Sequence, residues 1–245
     1  SNNIGIGRQA LRGSSTQSNN SGTSNVAIGP YAGLEMTDGD QNVFLGNYTG
    51  HRQRGNNNIA IGHQAFCGSS TPANNISNYN ISLGYAAGTS MTAAYSNVSI
   101  GWCAGKSINT GKCNIAIGAA TGQNITSGMY NTFFGRYTGA NVSTGNWNVA
   151  IGDNAFQGSN GNQSVAIGIK AASCLVGNCT VAVGAFAACA AQCGEDSVFI
   201  GKKAGPQNWS SGAATGKDQV IVGSVSYTHL RAHETGRNVV CRLLL

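Results

Sequence analysis

The sequence predicts an all-β fold, a parallel β-roll or β-helix solenoid of about 13 coils, mostly of 16–17 residues. Three observations carry that prediction. A five-residue apolar phrase ending in glycine recurs at near-constant spacing. Glycine is abundant, 36 of 245 residues, while proline occurs three times. Charged residues make up only 9% of the chain, too few for salt-bridged helices, whereas the 41% hydrophobic content is that of a chain able to build a core.

The phrase is read directly. It runs Asn25-Val-Ala-Ile-Gly29, Asn42-Val-Phe-Leu-Gly46, Asn58-Ile-Ala-Ile-Gly62, Asn80-Ile-Ser-Leu-Gly84, Asn97-Val-Ser-Ile-Gly101 and Asn114-Ile-Ala-Ile-Gly118. It continues as Asn131-Thr-Phe-Phe-Gly135, Asn148-Val-Ala-Ile-Gly152, Ser164-Val-Ala-Ile-Gly168, Thr180-Val-Ala-Val-Gly184, Ser197-Val-Phe-Ile-Gly201 and Gln219-Val-Ile-Val-Gly223, after a degenerate copy ending at Gly7. The steps between glycines are 22, 17, 16, 22, 17, 17, 17, 17, 16, 16, 17 and 22. β-Branched residues favour a strand, and glycine supplies the positive φ of the turn that follows.

The rest of the unit carries a second apolar position (Met36, Ile108, Ile125, Val142) and polar-Gly pairs such as Asp38-Gly39 and Ser127-Gly128. Such pairs mark tight turns, so two short strands per coil are expected and no helix of ordinary length fits. Coils in register stack about 4.8 Å apart, giving a rod on the order of 60 Å long. The recurring asparagine either forms a ladder from coil to coil or serves as a turn residue.

The alternation within the phrase suggests two columns of Val, Ile or Leu inside the coil, with the middle residue pointing outward. That middle residue is mostly apolar and includes Phe44, Phe133 and Phe199. An apolar outer column implies a covering partner chain, so these phenylalanines are the candidate oligomer-interface residues. The alternative is that alanine and serine there simply tolerate water.

From Val225 the pattern stops. Val225-Ser-Tyr-Thr-His-Leu-Arg-Ala-His-Glu-Thr235 and Val239-Val-Cys-Arg-Leu-Leu-Leu245 resemble a translated transposase-type DNA sequencing adapter around a short index. The chain is therefore read as 1–223, a repetitive β-solenoid head or fibre segment, and 224–245, a non-native, adapter-like tail expected to be disordered. Without Arg231, Arg237, Arg242 and Glu234, basic residues fall from 14 to 11 and acidic ones from 8 to 7, so the net charge falls from +6 to +4. A genuine C-terminal helix is the alternative.

Phrases such as Ser164-Val-Ala-Ile-Gly168 and Asn148-Val-Ala-Ile-Gly152 resemble the YadA-like head repeats of trimeric autotransporter adhesins and the related repeats of phage and large-virus tail fibres. The resemblance covers residues 3–223. It implies a left-handed roll, a homotrimer with the strand phrase near the threefold axis, and an extracellular place on a bacterial surface or virion fibre. The implied function is a surface-exposed structural or adhesive fibre head attaching to a host or other surface. A ligand-free viral or phage tail-fibre shaft is the alternative. The adhesin repeat is shorter, about fourteen residues, so this chain widens one loop per coil.

No catalytic site, metal site or cofactor is read from the sequence, and the chain is expected not to be an enzyme. Acids are few, and Asp38 and Asp40 flank a turn glycine. There is no Gly-Gly-x-Gly-x-Asp calcium run and no nucleotide-binding motif. The sparse positive charge forms no nucleic-acid surface, and no apolar run suggests direct membrane insertion. Cys174, Cys179, Cys189 and Cys193 on neighbouring coils leave disulfides, free thiols and a zinc site open. Tyr130 and Trp147, five residues before their glycines on successive coils, are the candidate ligand-binding residues for a host glycan or protein. Plain aromatic packing along the rod is the alternative. Insertions after Leu11, Phe66 and Gly205 give the three 22-residue steps.

Overall fold

The computed structural model describes residues 2–13, 21–69, 74–158, 160–174, 177–190, 195–205, 218–224 and 239–240. Thirteen three-residue strands, one per phrase, run in chain order: β1 (Ile4–Ile6), β2 (Val26–Ile28), β3 (Val43–Leu45), β4 (Ile59–Ile61), β5 (Ile81–Leu83), β6 (Val98–Ile100) and β7 (Ile115–Ile117). They continue with β8 (Thr132–Phe134), β9 (Val149–Ile151), β10 (Val165–Ile167), β11 (Val181–Val183), β12 (Val198–Ile200) and β13 (Val220–Val222). Every neighbour in sequence is a neighbour in the single parallel sheet, so the fold is a β-solenoid. Phrases pair in register whatever the step between them: Ile59 faces Ile81 across 22 residues as Val98 faces Ile115 across 17.

The glycine ending each phrase has a physical reason. Gly118 has φ +133, and a Cβ there would lie 2.5 Å from the Gly135 carbonyl oxygen of the next coil. Only glycine lets the coils approach this closely. The turn that follows places a left-handed residue two positions on, and another precedes each phrase from Asn25 onward, including Tyr130, Trp147 and Cys103. Bulky residues avoid this region. Here coil-to-coil bonds hold them, such as Tyr130 N–H to Lys112 C=O at 3.0 Å and Trp147 N–H to Met129 C=O at 3.0 Å.

The asparagines form the ladder. Asn25, Asn42, Asn58, Asn80, Asn97, Asn114, Asn131 and Asn148 are fully buried. Each Oδ1 accepts from the backbone N–H of the next, as in Asn114 N–H to Asn97 Oδ1 at 3.0 Å. Each Nδ2 also reaches a turn carbonyl, as Asn114 does to Gly128 at 2.7 Å. Ser164 substitutes a hydroxyl, accepting from Thr180 N–H at 3.2 Å.

The ladder corrects the expected facing of the strand. Residues two apart share a face. Asn and the middle residue therefore point inward together, and the Val, Ile and Leu columns point outward. Phe44, Phe133 and Phe199 are 0% exposed and lie in the core of the coil, not on an outer interface. Their space is made by glycine, because a Cβ on Gly50, Gly139 or Gly205 would strike Phe44, Phe133 or Phe199 at 2.4–2.6 Å. On the next coil the large residue moves to the turn, so Phe66 packs 6.3 Å from Phe44 and Phe156 6.4 Å from Phe133. The second apolar position is buried as expected in Met36, Ile108, Ile125 and Val142.

Among the described residues a regular second strand does not form. That wall is built of turns, with isolated parallel bridges joining Asn78, Tyr95, Lys112 and Met129. Polar-Gly turns leave too few extended residues for a longer ladder. The insertions fall largely outside the described residues, as do 225–238 and 241–245 of the tail. Val239–Val240 form β14, parallel to Val220 and Ile221.

Candidate functional site

Two surfaces stand out. The first is the outward face of the sheet, where two columns of side chains, apolar except at Thr132, run along the rod. Ile28, Ile61, Phe134, Val149, Ile151 and Ile200 are all exposed there, and no charged residue interrupts β1–β13. The alternation was legible in the sequence, but its inward and outward sides were exchanged. The exposed apolar column is made by the neighbours of the phenylalanines.

The second is an aromatic groove along the corner that precedes the strand. Tyr130 and Trp147 are brought together as expected, with parallel rings 5.7 Å apart at 4°. They are 50% and 54% exposed. The stack occupies one face of Tyr130. On its other side the next two coils carry only the smaller Cys113 and Ser96 in the column, and a groove of about 510 Å³ opens there. Tyr95 and Tyr130 line it, with Ile76, Asn78, Lys112 and Cys113 among the other lining residues. Beyond Tyr95, Tyr79 packs edge-on at 5.3 Å and 63°. Trp147 does not line the groove, so Tyr130 is the residue of the candidate pair that faces it.

A further aromatic strip follows the strand glycine and was missed in the sequence. His63 and Tyr85 stack at 5.4 Å and 7°, and exposed Trp102 follows on the next coil. Tyr31 and Tyr48 stack at 4.5 Å, with Arg8 over Tyr31 at 5.3 Å. Reading one and two positions past each glycine would have found it.

The carboxylates bridge coils. Arg52 Nε is 2.8 Å from Glu35, Arg54 Nη2 2.7 Å from Asp38 and Arg136 Nε 3.0 Å from Asp153. The guanidinium bonds hold the Glu35, Asp38 and Asp153 carboxyls below their ordinary values. Burial lowers the pKa of His51, whose Nε2 lies 3.8 Å from Glu35. Burial pushes the Cys67 thiol up to about 11, so it is not a ready nucleophile.

Cys67, Cys103, Cys113, Cys174 and Cys179 are free thiols, while Cys193 lies outside the described residues. Among the described residues no three His, Cys, Asp or Glu gather as a metal site, and no helix is long and apolar enough to cross a membrane. No protein family, curated protein or solved structure matches this chain.

Proposed function

We propose that the chain is a surface-exposed structural and adhesive fibre head, a rod that self-associates and attaches its bearer, bacterium or virion, to a host or other surface. The observation that carries this is the apolar face of thirteen strands, broken only by Thr132. Three residues at about 3.3 Å by thirteen coils at about 4.8 Å give on the order of 600 Å². That is the upper end of what a soluble monomer exposes, and patches of this size mark contact sites. Copies of the same rod share its pitch and flatness, so the face is complementary to itself. A trimer is the number the adhesin resemblance supplies. Attachment then arises from many weak contacts repeated over several chains.

Neither catalysis, a cofactor nor nucleic acid enters this reading. In support, the Glu35, Asp38 and Asp153 carboxylates are engaged in coil-to-coil ion pairs. Light scattering of the 245-residue chain after size exclusion is expected to return a multiple of the chain mass, three if the resemblance holds. Ile117→Lys with Ile151→Lys is expected to return one chain mass with the far-UV circular dichroism kept. A wild-type monomer at tens of micromolar overturns self-association.

A ligand-free spacer is the second reading. The ring-on-ring stack of Tyr130 and Trp147 favours it, since part of the aromatic surface is used within the rod. A panel of glycans and cell surfaces separates the two: reproducible binding lost in Tyr130→Ala supports adhesion, and silence across the panel supports the spacer.

A further inference from the structure

We infer that the groove between Tyr95 and Tyr130 is a binding site for a carboxylated sugar, a uronic-acid-bearing glycan whose ring lies on Tyr130 and whose carboxylate meets Lys112. The inference rests on the adhesive reading and names its ligand class.

The groove is built, not incidental. Isolated bridges tie Asn78 to Tyr95, Tyr95 to Lys112 and Lys112 to Met129, so the side chains rise from a fixed backbone. Cys113 N–H to Tyr95 C=O at 2.9 Å and Tyr130 N–H to Lys112 C=O at 3.0 Å add to it. The volume, about 510 Å³, suits one or two sugar rings. Tyr130 offers the face opposite Trp147, and the small Cys113 below leaves room for a ring against it. Flat aromatic faces pack against the C–H face of a pyranose much as they pack against other apolar surfaces.

Charge selects the ligand. Lys112 is exposed and has no ion-pair partner among the described residues. No Asp or Glu occurs anywhere from residue 41 to residue 152, so the coils around the groove hold no carboxylate to neutralise it. An ammonium beside open aromatic faces, in a region of one sign of charge, favours an anion that also has an apolar face. An acidic peptide has the charge without the flat C–H face, and a neutral sugar has the face without the charge.

The test titrates the full chain by calorimetry with a tetrasaccharide of alternating glucuronate and N-acetylglucosamine, its carboxyl-reduced neutral counterpart, hexaglutamate and inorganic sulfate. The uronate sugar is expected to bind tightest. Lys112→Gln is expected to weaken it roughly three- to five-fold, the scale of one exposed charge contact, and to leave the neutral sugar unchanged. Tyr130→Ala is expected to weaken both sugars, and Lys106→Gln, on the same coil but outside the groove, neither. Equal binding of the two sugars overturns the inference, as does equal binding of hexaglutamate or sulfate, or indifference to Lys112→Gln. The same preparations on the glycan and cell-surface panel separate the two levels. Panel binding that survives Lys112→Gln unaltered overturns the uronate site and leaves adhesion standing, whereas a silent panel removes adhesion itself.

Discussion

Replacing Asn114 tests whether the buried ladder holds the coils together. Its side chain makes four hydrogen bonds. Nδ2 donates to Asn97 Oδ1 at 3.0 Å and to the Gly128 carbonyl at 2.7 Å, and Oδ1 accepts from Asn131 N–H at 3.1 Å and Asn131 Nδ2 at 2.9 Å. In Asn114→Leu the volume is kept, but Asn131 N–H and the Gly128 carbonyl lose their partners. Asn131 Nδ2 keeps Gly145 at 2.7 Å, so two buried groups are orphaned. At about 1–3 kcal/mol each, the loss is about 2–6 kcal/mol. Asn114→Ser restores an acceptor for Asn131 N–H in the manner of Ser164 and should cost about 1–3 kcal/mol. Urea unfolding followed by circular dichroism gives the two losses. Amide exchange at Asn131 reports the local opening that a one-dimensional stack allows. A Leu variant within about 1 kcal/mol of wild type, a Ser variant no better than Leu, or unchanged exchange at Asn131 would refute the ladder's role.

Three further outcomes follow from the core and the charges. Phe133→Ala empties a fully buried site and should cost about 3–5 kcal/mol in urea unfolding with no change in the association state of the folded chain; dissociation without loss of stability would restore it to the outer face. Ser99 Oγ is buried without a hydrogen-bond partner where six other coils carry alanine, so Ser99→Ala should raise stability by about 1 kcal/mol, and a loss of similar size would contradict the orphaned hydroxyl. The folded state lowers the pKa of His51 by burial, and those of Glu35 and Asp38 through Arg52 and Arg54. All three shifts have one sign, because the unfolded chain binds protons more readily. The His51 contribution is whole above its ordinary 6.5 and declines as pH falls below it. The carboxylate contributions are whole above 4.5 and 3.8 and are lost as pH falls through the folded values. A melting temperature measured from pH 8 to 3 should therefore fall in two stages, and His51→Gln should remove the first; a single stage in both proteins would count against the assignment.

Much of the fold was legible because the repeat states it thirteen times. The strand phrase, its parallel register and buried Ile108, Ile125 and Val142 follow from period and residue type, while the asparagine ladder was one of two readings that residue type left open. The facing of the strand was misread because both alternating sets are apolar, so hydrophobicity alone cannot choose between them. The asparagine held the answer. A buried amide ladder and inward Val cannot coexist on adjacent residues, and Asn shares parity with the middle residue. The expected second strand failed because polar-Gly turns consume that wall, leaving the bridges at Tyr95 and Lys112. Tyr130 and Trp147 were found because they repeat. Lys112 and the gap at Cys113 were not, since a groove made by departures from a repeat has no periodic signal.

The indifference of register to step length has a consequence for how such a rod varies. Each phrase touches only the phrases before and after it, and a 22-residue step stacks as well as a 17-residue one. Gain or loss of one whole unit by slippage between its copies therefore changes the reach by a single increment of about 4.8 Å and leaves every remaining contact in kind. Length and loop content become two independent dials, the first acting as a ruler and the second as its interchangeable ornament.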